Sequence, residues 1–253
     1  MNVNISDLGA VGDGKSLNTT IIQRAIDECS KNGGGRVIIS NGKYVSGTII
    51  LKSNIELHIT AGATLIGSAD CVDYPEIRDV NHFDGSLVPR GNSSCLILAD
   101  ECENIAITGQ GTIDCNSDVF VEPHNVKLQG WPYKRKNLPT PPRVVLFSGC
   151  KNVTVTDISM VNQPAGWSYW VHDCEYVCFD RVKIYANVDY PNNDGIHINC
   201  SRDVTVIWCS YIRIYLSGNR SAYIVDLCEA IYEGVYFYSE KWCCDEHILS
   251  GHS

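Results

Sequence analysis

The stretch CKNVTVTD, residues 150–157, carries the pattern that decides the fold of this chain. After a cysteine and two polar residues, β-branched apolar residues alternate with polar ones, which is typical of a strand with one buried face. Four other stretches can be stacked on it: KSNIELHI (52–59), CENIAITG (102–109), CEYVCFDR (174–181) and SRDVTVIW (201–208). Their starting positions differ by 50, 48, 24 and 27 residues, which are multiples of a period of about 25. A repeat of this length built from strands predicts an all-β fold, a parallel β-helix in which each coil packs on its neighbours.

The repeat also predicts what two of its recurrent residue types do. Asn54, Asn104 and Asn152 share one position and are expected to stack as a ladder at a turn. The chain has 13 cysteines, several of them at equivalent repeat positions, without the paired spacing of a zinc site. We expect them to be free, buried and structural, and we expect no metal or organic cofactor.

One amphipathic helix precedes the repeats. Thr19 or Thr20 is predicted to cap it, glycines 33–35 to end it, and a set of apolar residues at helical spacing to form its buried face: Ile21, Ile22, Ala25, Ile26 and Cys29. We expect it to close one end of the solenoid. The predicted organisation is a single domain, 1–253, with an N-terminal cap (1–35), coils (36–212) and a divergent tail (213–253).

Composition limits the partners. With 44% hydrophobic and 19% charged residues the chain can bury a full core, and its net charge of −9 argues against nucleic acid and anionic membrane surfaces. There is no apolar run of membrane-spanning length, and the start lacks the features of a signal peptide. An acidic substrate would require a locally basic cleft. The long excursion from Asp114 to Pro142, followed by Arg143, supplies candidate sugar contacts, although a solvated loop is the alternative: Trp131, Lys134, Arg135 and Lys136.

The stretch PNNDGIHI, residues 191–198, is the candidate site. Asp194 stands where the chain turns into an alternating strand, so its carboxylate can be displayed on a sheet surface. The alternative is that Asn192, Asn193 and Asp194 only form a turn, which these residues favour.

Four segments resemble glycoside hydrolase family 28, the polygalacturonases: Asp7 to Ser68, GQGTID (109–114), PPRVVLFSGCKNVTV (141–155), and Gln163 to Ile198, which ends in PNNDGIHI. The resemblance implies a right-handed parallel β-helix and a monomer that hydrolyses pectin-type polysaccharide with inversion. The family's Asn-x-Asp motif matches Asn192-Asn193-Asp194. Asp194 is therefore the predicted catalytic carboxylate, with both asparagines as substrate contacts.

The resemblance weakens after Ile212. The family's Gly-Asp-Asp motif has only Gly218-Asn219-Arg220 as its nearest match, and neither Asn219 nor Arg220 can act as an acid or base there. Candidates for the missing group are Asp226, Glu229, Glu233 and His252. We expect a truncated or frameshifted product that lacks C-terminal coils. Two other hypotheses stay open, a non-catalytic polysaccharide-binding β-helix and a calcium-dependent lyase. The compartment also stays open, because the family is mostly exported.

Overall fold

The fold is taken from a computed structural model, which describes residues 1–76, 94–124, 132–137, 143–187 and 189–210, and the backbone of four further strands. The described helix is α1 (Thr19–Lys31), and three short 3-10 turns cover Ile5–Leu8, Cys71–Asp73 and Ser117–Val119. In chain order the first strands are β1 (Asn2–Asn4), β2 (Asp13–Leu17), β3 (Gly35–Ile39), β4 (Gly42–Ser46), β5 (Ile49–Ile50), β6 (Ile55–Ile59), β7 (Ala63–Gly67), β8 (Ile97–Asp100), β9 (Glu103–Thr108), β10 (Thr112–Asp114), β11 (Val121–Pro123) and β12 (Tyr133–Arg135). They are followed by β13 (Arg143–Ser148), β14 (Lys151–Thr156), β15 (Ser159–Val161), β16 (Trp167–His172), β17 (Glu175–Asp180), β18 (Lys183–Tyr185), β19 (Ile196–Asn199), β20 (Arg202–Ser210), β21 (Ile214–Ser217), β22 (Tyr223–Glu229), β23 (Tyr236–Phe237) and β24 (His247–Gly251).

Each coil contributes strands to two parallel sheets. Sheet A contains two ladders, β1-β3-β6-β9-β14-β17-β20 and β18-β15-β10-β7-β4-β2, which join at β20, and β22 and β24 continue from β20. Sheet B has the order β23-β21-β19-β16-β13-β8-β5. A coil such as β13-β14-β15 therefore runs once along sheet B and twice along sheet A. The predicted parallel solenoid is confirmed, and β11 with β12 forms a separate antiparallel hairpin.

The interior is built from the predicted alternation. Val153 lies in register with Ile105 on one neighbouring coil and with Val177 on the other, and all three side chains are buried. The asparagine ladder is confirmed. The Asn104 side chain donates to Asn54 Oδ1 (2.9 Å) and accepts from Asn152 Nδ2 (3.0 Å), and all three residues have a positive φ, which asparagine tolerates better than most residues.

The cysteines at the repeat corner behave as predicted. Those at the repeat corner, Cys102, Cys150 and Cys174, are buried and free, and each donates its thiol proton to a carbonyl two residues earlier. Burial of this kind makes a thiol a small core residue rather than a reactive group.

The capping helix differs from prediction at its first residue. Asn18, not Thr19 or Thr20, is the N-cap, and its side chain is engaged with Val11. The hydroxyl of Thr19 instead accepts from the backbone N–H of Gly47 (2.8 Å), which ties the helix to the first coil. The buried face matches the prediction except at Ile21, which is only half-buried. No helix in the described part of the chain is long and apolar enough to span a membrane.

The tail that was expected to diverge still contributes strands. β21 and β23 extend sheet B, and β22 and β24 extend sheet A, all in parallel pairing. Backbone pairing of the solenoid type therefore continues beyond residue 212.

Candidate active site on sheet B

Asp194 lies at the amino end of β19, on sheet B. Its backbone carbonyl accepts from Ser168 N (2.9 Å), and the carbonyl of Gly195 accepts from Tyr169 N (2.9 Å), so the preceding coil fixes the turn into the strand. The Asp194 side chain is half-buried and within reach of solvent. The turn and the displayed carboxylate, which the sequence offered as alternatives, therefore occur together.

The two asparagines before Asp194 differ in their surroundings. Asn192 is exposed and has a positive φ of 56°, so it makes the turn. Asn193 is buried, and its amide donates to the carbonyl of Asn187 (3.1 Å). The Asn193 amide thus stabilises the loop that carries Asp194.

A stack of three planar groups lies beside Asp194. Arg143 and Trp167 are paired in register on β13 and β16, and the Arg143 guanidinium carbon lies 3.5 Å from the centroid of the Trp167 ring. The imidazole of His197 stacks on the same indole at 3.6 Å and 5°. Two planar groups at this spacing cannot occupy one face, so Arg143 and His197 cover opposite faces of Trp167.

Burial sets the charge states in this stack. Burial, and then the positive charge of nearby Arg135, lower the pKa of Arg143 to about 9, while Asp194 acts in the opposite direction. Burial, and then Arg143 and His172, lower the pKa of His197 to about 3. At neutral pH Arg143 is therefore a cation, and the His197 imidazole on the other face of Trp167 is neutral. The charges of Arg143 and Asp194 therefore attract each other.

A hydrogen-bonded chain continues along the same face of sheet B. Trp170 Nε1 donates to Asn199 Oδ1 (2.5 Å), because an indole nitrogen can only donate. The amide nitrogen of Asn199 must then donate to His172 Nδ1 (2.7 Å). His172 consequently carries its proton on Nε2.

The β11–β12 hairpin brings the basic residues to this region. Arg135 Nε donates to the carbonyl of Ala165 (2.6 Å), two residues before Trp167. Lys134 pairs with Glu122 across the hairpin (3.1 Å), and Lys136 Nζ donates to the Val119 carbonyl (2.7 Å). Of the three predicted cationic sugar contacts, the structure thus brings Arg135 to the site, whereas Lys134 and Lys136 bind within the excursion itself. Trp131 lies outside the described residues.

Two of the candidates for a second acid lie on a different sheet from Asp194. Asp226 and Glu229 belong to β22, whose partners β20 and β24 are in sheet A, whereas Asp194 stands at sheet B. Glu233, His252 and the stretch 218–220 lie outside the described residues. The strand paired with β19 reads Ile-Tyr-Leu-Ser (214–217) and the two residues before it are Ile212 and Arg213, so the sequence has no carboxyl group at either place. Among the described residues, no three His, Cys, Asp or Glu side chains are grouped to hold a metal ion.

Sequence reasoning did not single out Trp167, which lies at the centre of this stack. The available signal was the spacing of Trp167 from Arg143, 24 residues, which equals one repeat. A repeat-wise alignment of outward residues would have predicted that these two residues stack.

The fold defines the class first. The chain is a right-handed parallel β-helix protein, and among solved structures it is similar to an exopolygalacturonase from Thermotoga maritima, with 29% identity and a TM-score of 0.66 over 90% of this chain and 54% of that one. The family model "Glycosyl hydrolases family 28" matches residues 29–213, and the chain belongs to that family.

Two curated relatives show how much of the family's length is present. A probable polygalacturonase from Vitis vinifera is 28% identical over 202 residues, and an exo-poly-alpha-D-galacturonosidase from Dickeya chrysanthemi is 27% identical over 242 residues. These matches include 78% and 81% of this chain but 39% of each relative. The chain thus spans about two fifths of the length of these proteins.

Proposed function

We propose that this chain acts on pectin-type galacturonan, which it binds along sheet B and hydrolyses with Asp194 as a catalytic carboxylate. The observation that carries the proposal is the position of Asp194: a half-buried carboxylate at a strand end, beside the buried cation Arg143. Family membership and the names of the relatives support the substrate class.

Charge supports an acidic ligand at this place. The chain carries a net charge of −9, which would repel a polyanion, yet Arg135 and Arg143 lie together next to sheet B. A local concentration of positive charge in a cleft attracts an anionic substrate against the overall charge. These two residues support the locally basic surface that an acidic substrate would require.

The chemistry assigns Asp194 the role of base. Inverting hydrolysis needs an ionised carboxylate that activates water and an acid that protonates the leaving oxygen, about 6.5 to 9.5 Å apart. We assign the base to Asp194 because its charge interacts with that of Arg143, and a cation beside a carboxylate suits the residue that takes a proton from water. β22 runs in sheet A, whereas Asp194 stands at sheet B. The position of Asp226 and Glu229 on β22 therefore gives no support to either residue as the partner acid.

The test compares reducing-end release from polygalacturonate by the wild-type chain and by Asp194→Asn. We expect the variant to lose at least about 100-fold in rate, the usual scale for removing a group that transfers a proton. Asp203→Asn is the matched control, since Asp203 is exposed at a corner of sheet A with a positive φ that asparagine also adopts. Equal turnover by the wild type and Asp194→Asn, or none by either, would refute catalysis by Asp194.

A second candidate function is non-catalytic binding of the same polysaccharide. It is favoured by the sequence Ile-Tyr-Leu-Ser of β21, which offers no acid next to β19. Its signature is saturable binding of galacturonan by the wild type with no release of reducing ends.

A further inference from the structure

The turn between β15 and β16 buries a side-chain amide. Residues 163–166 are all buried, and Gln163 is 0% exposed. Among the described residues, neither the side-chain nitrogen nor the side-chain oxygen of Gln163 has a hydrogen-bond partner. Buried amides of folded proteins are nearly always bonded to protein or to ordered water, because an unpaired amide costs stability. We therefore expect the Gln163 amide to bind a small molecule.

The loop that carries Asp194 is held by several hydrogen bonds to Asn187. The Asn187 carbonyl accepts from Tyr190 N (3.2 Å) and from Asn193 Nδ2 (3.1 Å), and its side-chain oxygen accepts from Asp189 N (3.0 Å). Asn193 is buried, and its own side-chain oxygen, Oδ1, has no partner in the described part of the chain. This loop therefore adds a second unpaired buried amide oxygen, on the residue before Asp194.

The turn and the loop lie against each other. β15 and β18 are paired in register, and Gln163 and Asn187 each lie two residues beyond the ends of these strands. Two residues after Gln163, Ala165 is buried in one cluster with Tyr190 of the loop. The unpaired atoms of Gln163 and Asn193 thus belong to two chain segments that pack on each other.

The chemistry of these atoms fits water better than an ion. Arg135 Nε donates to the Ala165 carbonyl (2.6 Å), so a positive charge beside the turn disfavours a bound cation. The side-chain oxygens of Gln163 and Asn193 can only accept, which disfavours an anion. Water donates to such oxygens and accepts from the Gln163 amide nitrogen, and a buried water typically makes about three hydrogen bonds of this kind.

We propose that Gln163 is a positioning residue: together with Asn193 it binds ordered water between the turn and the loop, and this water fixes Asp194. Gln163 acts through the loop rather than on the substrate. Only the naming of Asp194 as the catalytic group rests on the proposed function. Water binding and the order of the loop are properties of the folded chain, so they can be measured without turnover.

The first test is a crystal structure of the wild-type chain at a resolution that shows ordered water. We expect water about 2.7 to 3.2 Å from the Gln163 amide, linked directly or through a second water to Asn193 Oδ1. Density without such water, or a protein group bonded to the Gln163 amide in its place, would overturn the inference.

Replacing Gln163 by methionine gives opposite results for a bound and an unbound amide. Methionine has a similar length but no amide. Removal of an unbound amide would raise the melting temperature, whereas loss of the water contacts should lower it by about 2 to 6 °C. Gln110→Met is the matched control and should leave the melting temperature unchanged, since Gln110 is exposed. A higher melting temperature for Gln163→Met than for the wild type would refute bound water.

Hydrogen exchange, followed by mass spectrometry, locates the effect. Gln163→Met should speed amide exchange at residues 187–195 by about 10-fold and leave exchange in sheet A unchanged. If the wild type hydrolyses polygalacturonate, the variant should lose about 10-fold in kcat at an unchanged KM, because Asp194 is misplaced while substrate still binds.

These outcomes separate the inference from the proposed function. A change in exchange that is absent or spread over the whole chain, or an unaltered kcat in an active protein, would overturn the positioning role of Gln163. Bound water and a local change in exchange, without any turnover by the wild type, would sustain the inference and refute only the hydrolysis.

Discussion

Replacing His197 by phenylalanine should make the protein more resistant to acid. Phenylalanine keeps an aromatic ring against Trp167 but removes the titrating nitrogens. In the folded chain burial, Arg143 and His172 lower the pKa of His197 from 6.5 to about 3. Folding therefore favours the neutral ring. The stability that this preference contributes is fully present above pH 6.5 and is lost as the pH falls toward 3.

The size of the effect follows from the two pKa values. A difference of one in pKa corresponds to 1.36 kcal/mol, so lowering the pKa of His197 from 6.5 to about 3 is worth about 5 kcal/mol in free energy of unfolding. The part of this stability that is lost between pH 7 and pH 4.5 is about 2.5 kcal/mol. For a chain of this length each kcal/mol moves the melting temperature by about 2 to 4 °C. The wild type should thus lose about 5 to 10 °C more than His197→Phe over that pH range.

The assay is thermal unfolding at pH 7, 5.5 and 4.5, followed by far-ultraviolet circular dichroism. Carboxylates whose pKa is lowered in the fold, such as Glu56 and Asp157, contribute at still lower pH and cancel in the comparison of the two proteins. His58→Phe, on the outer side of sheet A, leaves His197 in place and should retain the wild-type loss. Equal losses of melting temperature by the wild type and His197→Phe would refute the conclusion that His197 is a buried, neutral imidazole in the folded protein.

Two further substitutions test stability. Arg143→Met should raise the melting temperature at pH 7 by a few degrees. Burial and Arg135 lower the pKa of Arg143 from 12.5 to about 9, so the buried cation costs stability, whereas a methionine packs on the indole without a charge. A clear fall in the calorimetric melting temperature would contradict this. Asn104→Ala should lower the free energy of unfolding by about 2 kcal/mol, since it removes two ladder hydrogen bonds at a residue with a left-handed backbone (φ 57°). Asn104→Gly should cost less, because glycine adopts that conformation without strain. Equal midpoints of urea unfolding for Asn104→Ala and the wild type would refute the role of the ladder.

The fold could be predicted because its signal is repeated. Every coil offers the same alternation, so errors at one coil are corrected by the others, and the position of Asn54, Asn104 and Asn152 was sufficient to predict their ladder. The helix was predictable from its apolar spacing, but not its first residue, because Asn18 is held by a contact with Val11 that local preference does not encode.

Residues of the candidate site could be predicted only where they belong to a recognisable sequence motif. Asp194 could be located from Asn192-Asn193-Asp194, but the Arg143–Trp167–His197 stack depends on which outward residues meet across coils. Predicting these contacts requires the pairing register of strands in neighbouring coils. The sequence alone does not reveal that register, because excursions separate the coils. The separation of Arg135 from Lys134 and Lys136 likewise depends on hairpin pairing, since all three look equivalent in the run Lys134-Arg135-Lys136.

The hairpin has a consequence for how this scaffold can change over evolution. It is inserted between β10 and β13 and carries Arg135 on a short antiparallel unit that belongs to neither sheet. A mutation or recombination there can exchange the hairpin while the described rungs of the solenoid keep their pairing. Laboratory grafting of other hairpins at this one junction is therefore a way to change the surface beside Ala165 on an unchanged backbone.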